Sequence, residues 1–363
     1  MKKINILMLL AATLACSVSG FAADTTSTLS WSGFIDAYYS TNFNSPATPV
    51  NQFRNFDMNT DQIALSLADL KVQGQTKNAG FTLELGFGPT DDYVNTTSTV
   101  GTPSPSLANV MQAYGTVIVP VGKGLTIDFG KFATHMGYEV IPSQGNWNYS
   151  RSYLFAYAIP FYHTGVRLTY PVASNFSVAL HLLTGWNSVI DNNKSLTIGT
   201  TLNYAPATNT DIVFNGIWGK ENLTPVENGA RDVYDFILTQ QLTDAFSVAL
   251  NADYGQAGTT GGLTLWKGVA VYGRYAVSSV SAFALRGEVY YDPTFDGYTT
   301  GAGYPKATFQ EYTLTYEHHP WTPVLLRAEL RDDFANADVF NSSSGPATKS
   351  SQPTLTIGVV TTF

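Results

Sequence analysis

Residues 124–132 read Gly-Leu-Thr-Ile-Asp-Phe-Gly-Lys-Phe, a stretch in which residue type alternates with a period of two. Leu125, Ile127 and Phe129 lie on one face of an extended chain, and the polar or small residues next to them lie on the other. Strict alternation of this kind is typical of a β-strand with one apolar and one polar face. A tight turn at 120–123 precedes the stretch, and the long aromatic segment 133–161 follows it.

The same unit of strand, short turn, strand and long loop recurs to the end of the chain. We count about 16 strands, each close to the roughly ten residues that a tilted membrane strand needs. Counted from the first loop, every odd connection is long and every even one is short. Bacterial outer-membrane barrels have short periplasmic turns, long extracellular loops and an even number of strands. The pattern therefore predicts an all-β fold, a closed antiparallel transmembrane β-barrel.

Composition agrees with a barrel better than with other classes. The 363 residues include only 13% charged residues but 13% aromatic ones, and the mean hydropathy is -0.02. A soluble domain carries more charge, and a helical membrane protein needs spans of about 20 apolar residues. The formal net charge of -8 argues against a nucleic-acid partner, because such proteins present a basic face.

The N-terminus has the features of an exported protein. Residues 1–23 combine Lys2 and Lys3 with an apolar middle and a small-residue end, which predicts a signal peptide cleaved after Ala22 or Ala23. A lipoprotein signal at Cys16 is disfavoured, because the residue three positions before it is Thr13 rather than the Leu that such signals prefer. We expect residues 24–363 to form a single barrel domain in the outer membrane.

Three stretches do not fit the simple strand pattern. In the predicted strand 62–75, Ile63, Leu65 and Leu67 fall on the polar face of the second half, which a β-bulge would repair. The predicted strand 110–119 is apolar on both faces, so the sequence does not orient it. The glycine-rich stretch 255–262 is predicted to be a loop.

The chain ends on Phe363. A terminal aromatic residue after apolar residues spaced by two resembles the signal that the outer-membrane assembly machinery recognises, although Thr361 departs from that spacing. The expected partners are thus that machinery, outer-membrane lipid, lipopolysaccharide and small solutes. A homotrimer remains open.

Several short stretches resemble the putative β-barrel porin-2 family of bacterial outer-membrane proteins. The stretches that carry this resemblance are Ser-Gly-Phe-Ile-Asp-Ala-Tyr-Tyr at 32–39, Arg-Asn-Phe at 54–56, Gln-Ala-Tyr at 112–114, Asp-Phe-Gly-Lys-Phe at 128–132, Asn-Trp-Asn-Tyr-Ser-Arg-Ser at 146–152, Ile-Pro-Phe-Tyr-His-Thr-Gly at 159–165 and Gly-Trp-Asn at 185–187. The stretch at 146–152 is the most specific of them. The resemblance implies an outer-membrane barrel that lets small solutes diffuse, without naming a substrate.

The longest connection, 133–161, is too aromatic for a solvated loop, and we predict that it packs inside the lumen and forms the constriction. Its ionisable residues are His135, Glu139 and Arg151. An alternative is that Glu139 and Arg151 only hold the loop in place through ion pairs. Further charges predicted to face the lumen, where they would set ion preference, are Asp128, Arg167, Glu84, Arg286, Glu288, Arg327 and Arg331.

Catalytic and metal chemistry find little support in the sequence. His163 is near Ser150 and Ser152, but no Gly-x-Ser-x-Gly turn is present. Adjacent His318 and His319 would diverge on a strand and make a poor metal pair. We expect a porin for small hydrophilic solutes that is not an enzyme and has no cofactor or metal. The alternatives are a barrel hydrolase acting on lipid or peptide, and a secreted soluble β-rich binding protein.

Overall fold

The computed structural model describes residues 27–96, 107–191, 193–221, 229–259, 262–292 and 307–363. The predicted leader at 1–23 lies outside the described residues. The strands are β1 Thr28–Asn42, β2 Gln62–Gln75, β3 Ala79–Phe87, β4 Val110–Val119, β5 Leu125–Ala133, β6 Tyr162–Ala173, β7 Phe176–Leu183, β8 Thr197–Ala207, β9 Thr210–Glu221, β10 Gly229–Gln241, β11 Phe246–Thr259, β12 Gly262–Ser278, β13 Ser281–Asp292, β14 Ala307–Trp321, β15 Val324–Ala335, β16 Phe340–Ser342, β17 Gly345–Lys349 and β18 Ser351–Thr362. The helical elements are α1 Pro89–Thr96, a 3₁₀ turn at Ser143–Gly145 and a π-helical turn at Leu154–Ala158.

Sixteen of these strands form one closed antiparallel barrel, which confirms the predicted fold class. β1 to β15 follow one another around the wall, and β18 closes it by pairing with both β15 and β1. β16 and β17 form a separate hairpin in the last long loop. None of the helices in the described part of the chain has the length and apolarity needed to cross a membrane.

The two faces of the wall differ as the alternation predicts. Apolar side chains point outward, as at Leu285 (58% exposed) and Ile357 (43% exposed). Polar side chains such as Asp36 and Arg286 point inward and are buried. In β5, the strand that contains most of the opening stretch, Phe129 is exposed outward and Asp128 is buried. An apolar outer surface around a polar interior is the arrangement of a membrane barrel.

A β-bulge in β2 restores the outward face at Ile63 and Leu65, whereas Leu67 stays on the inward face and is buried. Asp36 pairs with Leu67 and Ala37 pairs with Leu65, so Ser66 is the extra residue. Ile63 and Leu65 consequently point outward with the other apolar residues. The bulge that the sequence required is therefore confirmed.

A second register shift orients β4, which the sequence left open. Glu84 pairs with Gln112 and Leu85 pairs with Val110, which leaves Met111 as the extra residue. Met111 is buried in the central apolar cluster. Further along the strand, the Thr116 hydroxyl donates to Asp128 at 2.6 Å, so this part of β4 also turns its polar side to the lumen.

The prediction of a loop at 255–262 is wrong. β11 and β12 pair continuously from Phe246↔Tyr275 to Thr259↔Gly262, so only residues 260 and 261 connect them. Gly255 lies against the Trp266 ring, where a Cβ would come within 2.0 Å of an indole atom. The glycine thus allows the neighbouring ring to cover the strand, and the rule that every odd connection is long fails here.

Whether the outward apolar face contacts lipid can be tested by placing a charged side chain on it. We expect Leu285→Arg to lower the free energy of unfolding by about 2–4 kcal/mol in lipid vesicles, because the side chain would lie in hydrocarbon. The control Val277→Arg, at the turn end of β12, should cost about 0–1 kcal/mol, since an interfacial Arg reaches water. Urea titration of both variants measures the difference. Equal and negligible costs would support the soluble alternative instead.

Candidate functional site: the barrel lumen and its inner loop

Residues 134–161, here called the inner loop, lie against the inside of the barrel wall. Tyr153, Leu154 and Ala158 are fully buried. The loop contacts several strands in turn: Gly137 N–H donates to Asp235 of β10 at 3.1 Å, and Trp266 of β12 donates to the Ala158 carbonyl at 3.0 Å. Apart from its start, where Thr134 bonds to His163 of β6, the loop packs on the β8–β15 side, on β18 and on β1. The rest of the β2–β6 side faces the loop across the lumen.

Two inward carboxylates hold the backbone of the inner loop. Glu329 accepts the N–H groups of Tyr149 (2.6 Å) and Ser150 (3.0 Å). Glu288 accepts those of Tyr153 (2.6 Å) and Leu154 (2.7 Å). The loop has little regular structure, so its buried N–H groups need side-chain acceptors. Each carboxylate satisfies two successive donors with charge-assisted hydrogen bonds.

Arginines of the same wall hold the loop carbonyls. Arg327 donates to the carbonyls of Ser143 (2.6 Å) and Asn146. Arg331 donates to the Arg151 carbonyl at 2.6 Å.

Arg286 joins the loop to the wall by charge. It pairs with Glu139 of the loop at 2.7 Å and with Glu311 of β14 at 2.5 Å. Four of the predicted lumen residues, Arg286, Glu288, Arg327 and Arg331, thus anchor the inner loop, and Glu139 is one of the groups they hold.

The stretches that carry the family resemblance meet at this loop. Asp36 of β1 accepts the hydroxyls of Tyr149 (2.8 Å) and Ser143 (2.7 Å). The Tyr149 ring covers Gly358 of β18, where a Cβ would come within 2.5 Å of it. The glycine leaves room for the ring, so Tyr149 of the stretch 146–152 packs in a defined position against the barrel wall.

The first long loop, 43–61, also turns inward and meets the inner loop. Arg54 pairs with Asp57 of its own loop and with Asp333 of β15 at 2.8 Å. The same Asp333 accepts the Tyr153 hydroxyl at 2.8 Å. Phe56 packs edge-on against Phe155 at a centroid distance of 5.8 Å. The two loops therefore form one packed unit inside the outer half of the barrel.

Arg151 is 4% exposed and is used within the inner loop itself. Its guanidinium donates to the carbonyls of Val140 (3.2 Å), Ile141 and Tyr149. It also lies over the Phe56 ring at 5.0 Å. In this position Arg151 fastens the loop by carbonyl hydrogen bonds rather than by an ion pair, and its charge is covered.

The opposite wall carries charges that remain in contact with the lumen. Lys71 pairs with Glu84 at 3.0 Å, and Arg167 pairs with Asp128 at 2.8 Å. In each pair the cation side chain is the more exposed: 30% for Lys71 and 26% for Arg167, against 8% for each carboxylate. Solutes in the lumen would thus meet the cations first.

Two cavities adjoin the inner loop, one on this open side and one beside β12, β14 and β15. One, of about 440 Å³, is lined by Lys71, Glu84, Gln112 and residues of the inner loop from Thr134 to Gly145. The other, of about 300 Å³, lies at the end where the short turns are. Gln144 and Gly145, at the 3₁₀ turn of the inner loop, line both.

His135 lies in a cluster with two other histidines. Its ring stacks on His181 at 3.9 Å and lies 5.3 Å from His163. Burial lowers the pKa of His135 to about 4, so the ring is neutral at pH 7 and adds no charge to the lumen. Among the described residues, no group of three or more His, Cys, Asp or Glu is arranged to hold a metal ion.

The residues that sequence reasoning missed are Asp36, Arg54, Glu329 and Asp333, all of which anchor a loop. A signal for two of them was present in β15. Arg327, Glu329, Arg331 and Asp333 place four charges in succession on the inward face. Four charges in a row on a buried face need partners, and the aromatic loop carries the polar backbone groups to supply them.

Removing the Arg151 guanidinium should loosen the inner loop. We expect Arg151→Ala to cost about 1–3 kcal/mol of unfolding free energy, because it leaves buried carbonyls without donors. Arg151→Lys should cost less unfolding free energy than Arg151→Ala, because the ammonium group can still donate to one of these carbonyls. Single-channel recording should show a noisier current in the alanine variant, as the loop no longer keeps one position. Unchanged stability and quiet current would contradict the fastening role.

The buried His135 predicts a pH dependence of stability. Its folded pKa lies below the usual 6.5, so the unfolded chain binds the proton more readily. Stability is then complete above pH 6.5 and falls as the pH drops towards 4, by up to about 1.4 kcal/mol per pH unit for one proton. Urea unfolding between pH 4 and 7.5 should show a shallower slope for His135→Gln than for the wild type.

The comparisons with known proteins agree with this geometry. A search of curated proteins finds no match to the chain. Among solved structures, it is similar to an anion-selective porin from Comamonas acidovorans, with 13% identity, a TM-score of 0.63, and 93% of this chain and 100% of the other covered. It is also similar to the outer membrane channel DcaP of Acinetobacter baumannii, with 11% identity, a TM-score of 0.61, and 95% and 99% covered.

A third similar structure is the trimer form of OmpT, an outer membrane protein of Vibrio cholerae, with 11% identity and a TM-score of 0.58 over 93% of this chain and 100% of the other. At such identities these structures establish the fold. The family is established by sequence, because a family model matches residues 28–363. The chain belongs to the family described as "Putative beta-barrel porin-2, OmpL-like", and is a porin of the outer membrane.

Proposed function

We propose that the protein is a passive diffusion channel for small hydrophilic solutes and ions, with its water-filled path between the inner loop and the β2–β6 wall. The observation that carries this proposal is the cavity of about 440 Å³ on that side, lined by Lys71, Glu84 and Gln112 of the wall. A barrel of 16 strands is wide enough to hold an aqueous channel beside an inserted loop.

The inner loop narrows this path, and its turn at Ser143–Gly145 is the narrowing element. Support comes from the position of Gln144 and Gly145 in the lining of both cavities. The charges facing the constriction from the wall are those of Lys71, Glu84, Asp128 and Arg167. The predicted residues Glu139, Arg151, Arg286, Glu288, Arg327 and Arg331 act by keeping the loop in place, and His135 acts as a neutral packing residue.

We propose no catalytic role for the lumen. His163 shares hydrogen bonds with Thr134 Oγ1 (3.1 Å) and the Gly185 carbonyl (3.4 Å). Ser152 donates to Glu139 at 2.7 Å, and the Ser150 hydroxyl lies beside Arg286 and Arg331. These partners support a structural role for His163, since a nucleophile needs its base within hydrogen-bond reach.

The leader at 1–23 would export the chain and be cleaved before folding. At the other end, the backbone of Phe363 bonds to Gly33 (N–H to carbonyl, 3.0 Å), and the residue as a whole is 75% exposed at the short-turn end. An exposed terminal aromatic residue supports its use by the assembly machinery. The outward apolar band would face lipid and lipopolysaccharide. A homotrimer is our proposal for the assembled state, supported by the trimer form of the similar Vibrio cholerae protein.

A bulky side chain placed at the narrowest part of the proposed diffusion path tests that path. We expect Gln144→Trp to reduce single-channel conductance by about half, because the indole would project from the turn that lines both cavities and narrow the path. Swelling of liposomes in small sugars should slow in parallel. Leu314→Trp, on the outward face of β14, is the matched control and should leave both the conductance and the swelling rate unchanged. A wild-type protein that gives no conductance in planar bilayers, or a Gln144→Trp variant that conducts normally, would contradict the proposed path.

A further inference from the structure

We propose that the cavity at the short-turn end of the lumen is a binding site for small anions with phosphate or carboxylate groups, centred on Arg274. The inference rests on the proposed function, because it places the site on the diffusion path. In an outer-membrane barrel the short turns face the periplasm, so this is the periplasmic mouth.

The ion pairs at this mouth leave an excess of positive charge. Arg274 of β12 pairs with Glu317 Oε1 at 2.8 Å, and Arg327 of β15 pairs with Glu317 Oε2 at 2.7 Å. Within the described parts of the chain, Glu317 is the carboxylate that lies within ion-pair distance of either arginine. One carboxylate therefore serves two guanidinium groups, and one positive charge is left without an anionic partner.

The exposed part of this charge belongs to Arg274. Its side chain is 34% exposed, whereas those of Arg327 and Glu317 are 2% and 8% exposed. Arg327 is further occupied by the loop carbonyls of Ser143 and Asn146. An anion that enters the cavity thus meets the free donors of Arg274, and the shared carboxylate lies behind them.

The cavity has the size and lining for a small hydrated anion. Its volume is about 300 Å³, and its wall includes Asn146, His319 and Thr322 beside Arg274. Amide, hydroxyl and ring N–H groups can complete the hydrogen bonds of a phosphate or carboxylate. Arg is well suited to both groups, because its planar fork matches two oxygens at once.

The site lies in series with the larger cavity. Gln144 and Gly145 line both spaces, and on the proposed diffusion path a solute moving along the lumen would pass from one to the other at this turn. The net charge of the chain, -8, on its own favours a cation preference. The local excess at the mouth has the opposite sign, and it is local charge within a Debye length of about 8–10 Å that an ion in the pore experiences.

The test compares Arg274→Gln and Arg274→Lys with the wild type and with Lys123→Gln. Lys123 lies in a turn at the same end and donates to the Val172 carbonyl at 2.7 Å, outside this cavity. Reversal potentials in a KCl gradient should give Arg274→Gln an anion-to-cation permeability ratio lowered about twofold, the effect of one charge some 8 Å away in water. Arg274→Lys and Lys123→Gln should keep the wild-type ratio.

Binding is measured separately with inorganic phosphate as the probe, by calorimetric titration of the folded protein in detergent. We expect phosphate to bind the wild type and Lys123→Gln, and to bind Arg274→Gln several-fold more weakly. Equal phosphate affinity in Arg274→Gln and the wild type, or no binding to the wild type, overturns the anion site whatever the conductance. Absence of wild-type conductance overturns the proposed channel and leaves the calorimetric result to decide the site.

Discussion

The structure depends on one constraint: a long irregular loop placed inside a membrane barrel must have its backbone hydrogen bonds supplied by side chains. An unsatisfied N–H or C=O at that depth costs free energy comparable to a lost hydrogen bond. The inward faces of β13–β15 supply the partners. Glu288 and Glu329 take pairs of N–H groups, and Arg327 and Arg331 take carbonyls. The charges of these strands are therefore bound by the loop, although a count of charges would assign them to the pore.

This constraint divides the lumen into two sides of different chemistry. On the loop side, guanidinium groups are buried and hold carbonyls, a task suited to the five fixed donors of Arg. On the open side, Lys71 and Arg167 are each paired with one carboxylate and keep part of their surface in the lumen. The same alternation of residues produces both sides. What distinguishes them is whether the loop covers the strand.

Local pattern was enough to predict the fold, because the side-chain period of two reports directly which face of a strand meets lipid. Even the faulty pattern around Leu65 and Leu67 pointed to the bulge that β2 contains. The sequence misled at 255–262, where glycines that usually indicate a turn continue the ladder under the Trp266 ring. Turn propensity is a local signal, and here packing across strands outweighs it.

The candidate site was harder to predict, since its contacts join distant parts of the chain. The length and aromatic content of 133–161 pointed to the lumen, but nothing local pairs Asp36 with Tyr149, 113 residues away, or Arg54 with Asp333, 279 residues away. The stretches that carried the family resemblance are largely the ones that make these contacts. Such a resemblance therefore marks the anchoring of the inner loop rather than the choice of solute.

The choice of solute then depends on the charged lumen side chains that do not anchor the inner loop. A carboxylate that accepts two backbone N–H groups, or an arginine that holds loop carbonyls, has its field largely compensated where it lies. The net charge of the chain counts these compensated groups and the exposed groups alike. An ion in the pore, however, responds mainly to exposed charges within a Debye length. In this barrel the exposed members of the lumen pairs are the cations Lys71, Arg167 and Arg274. An acidic protein can thus present a basic surface to the solute, because the inner loop and the wall enclose most of its acids.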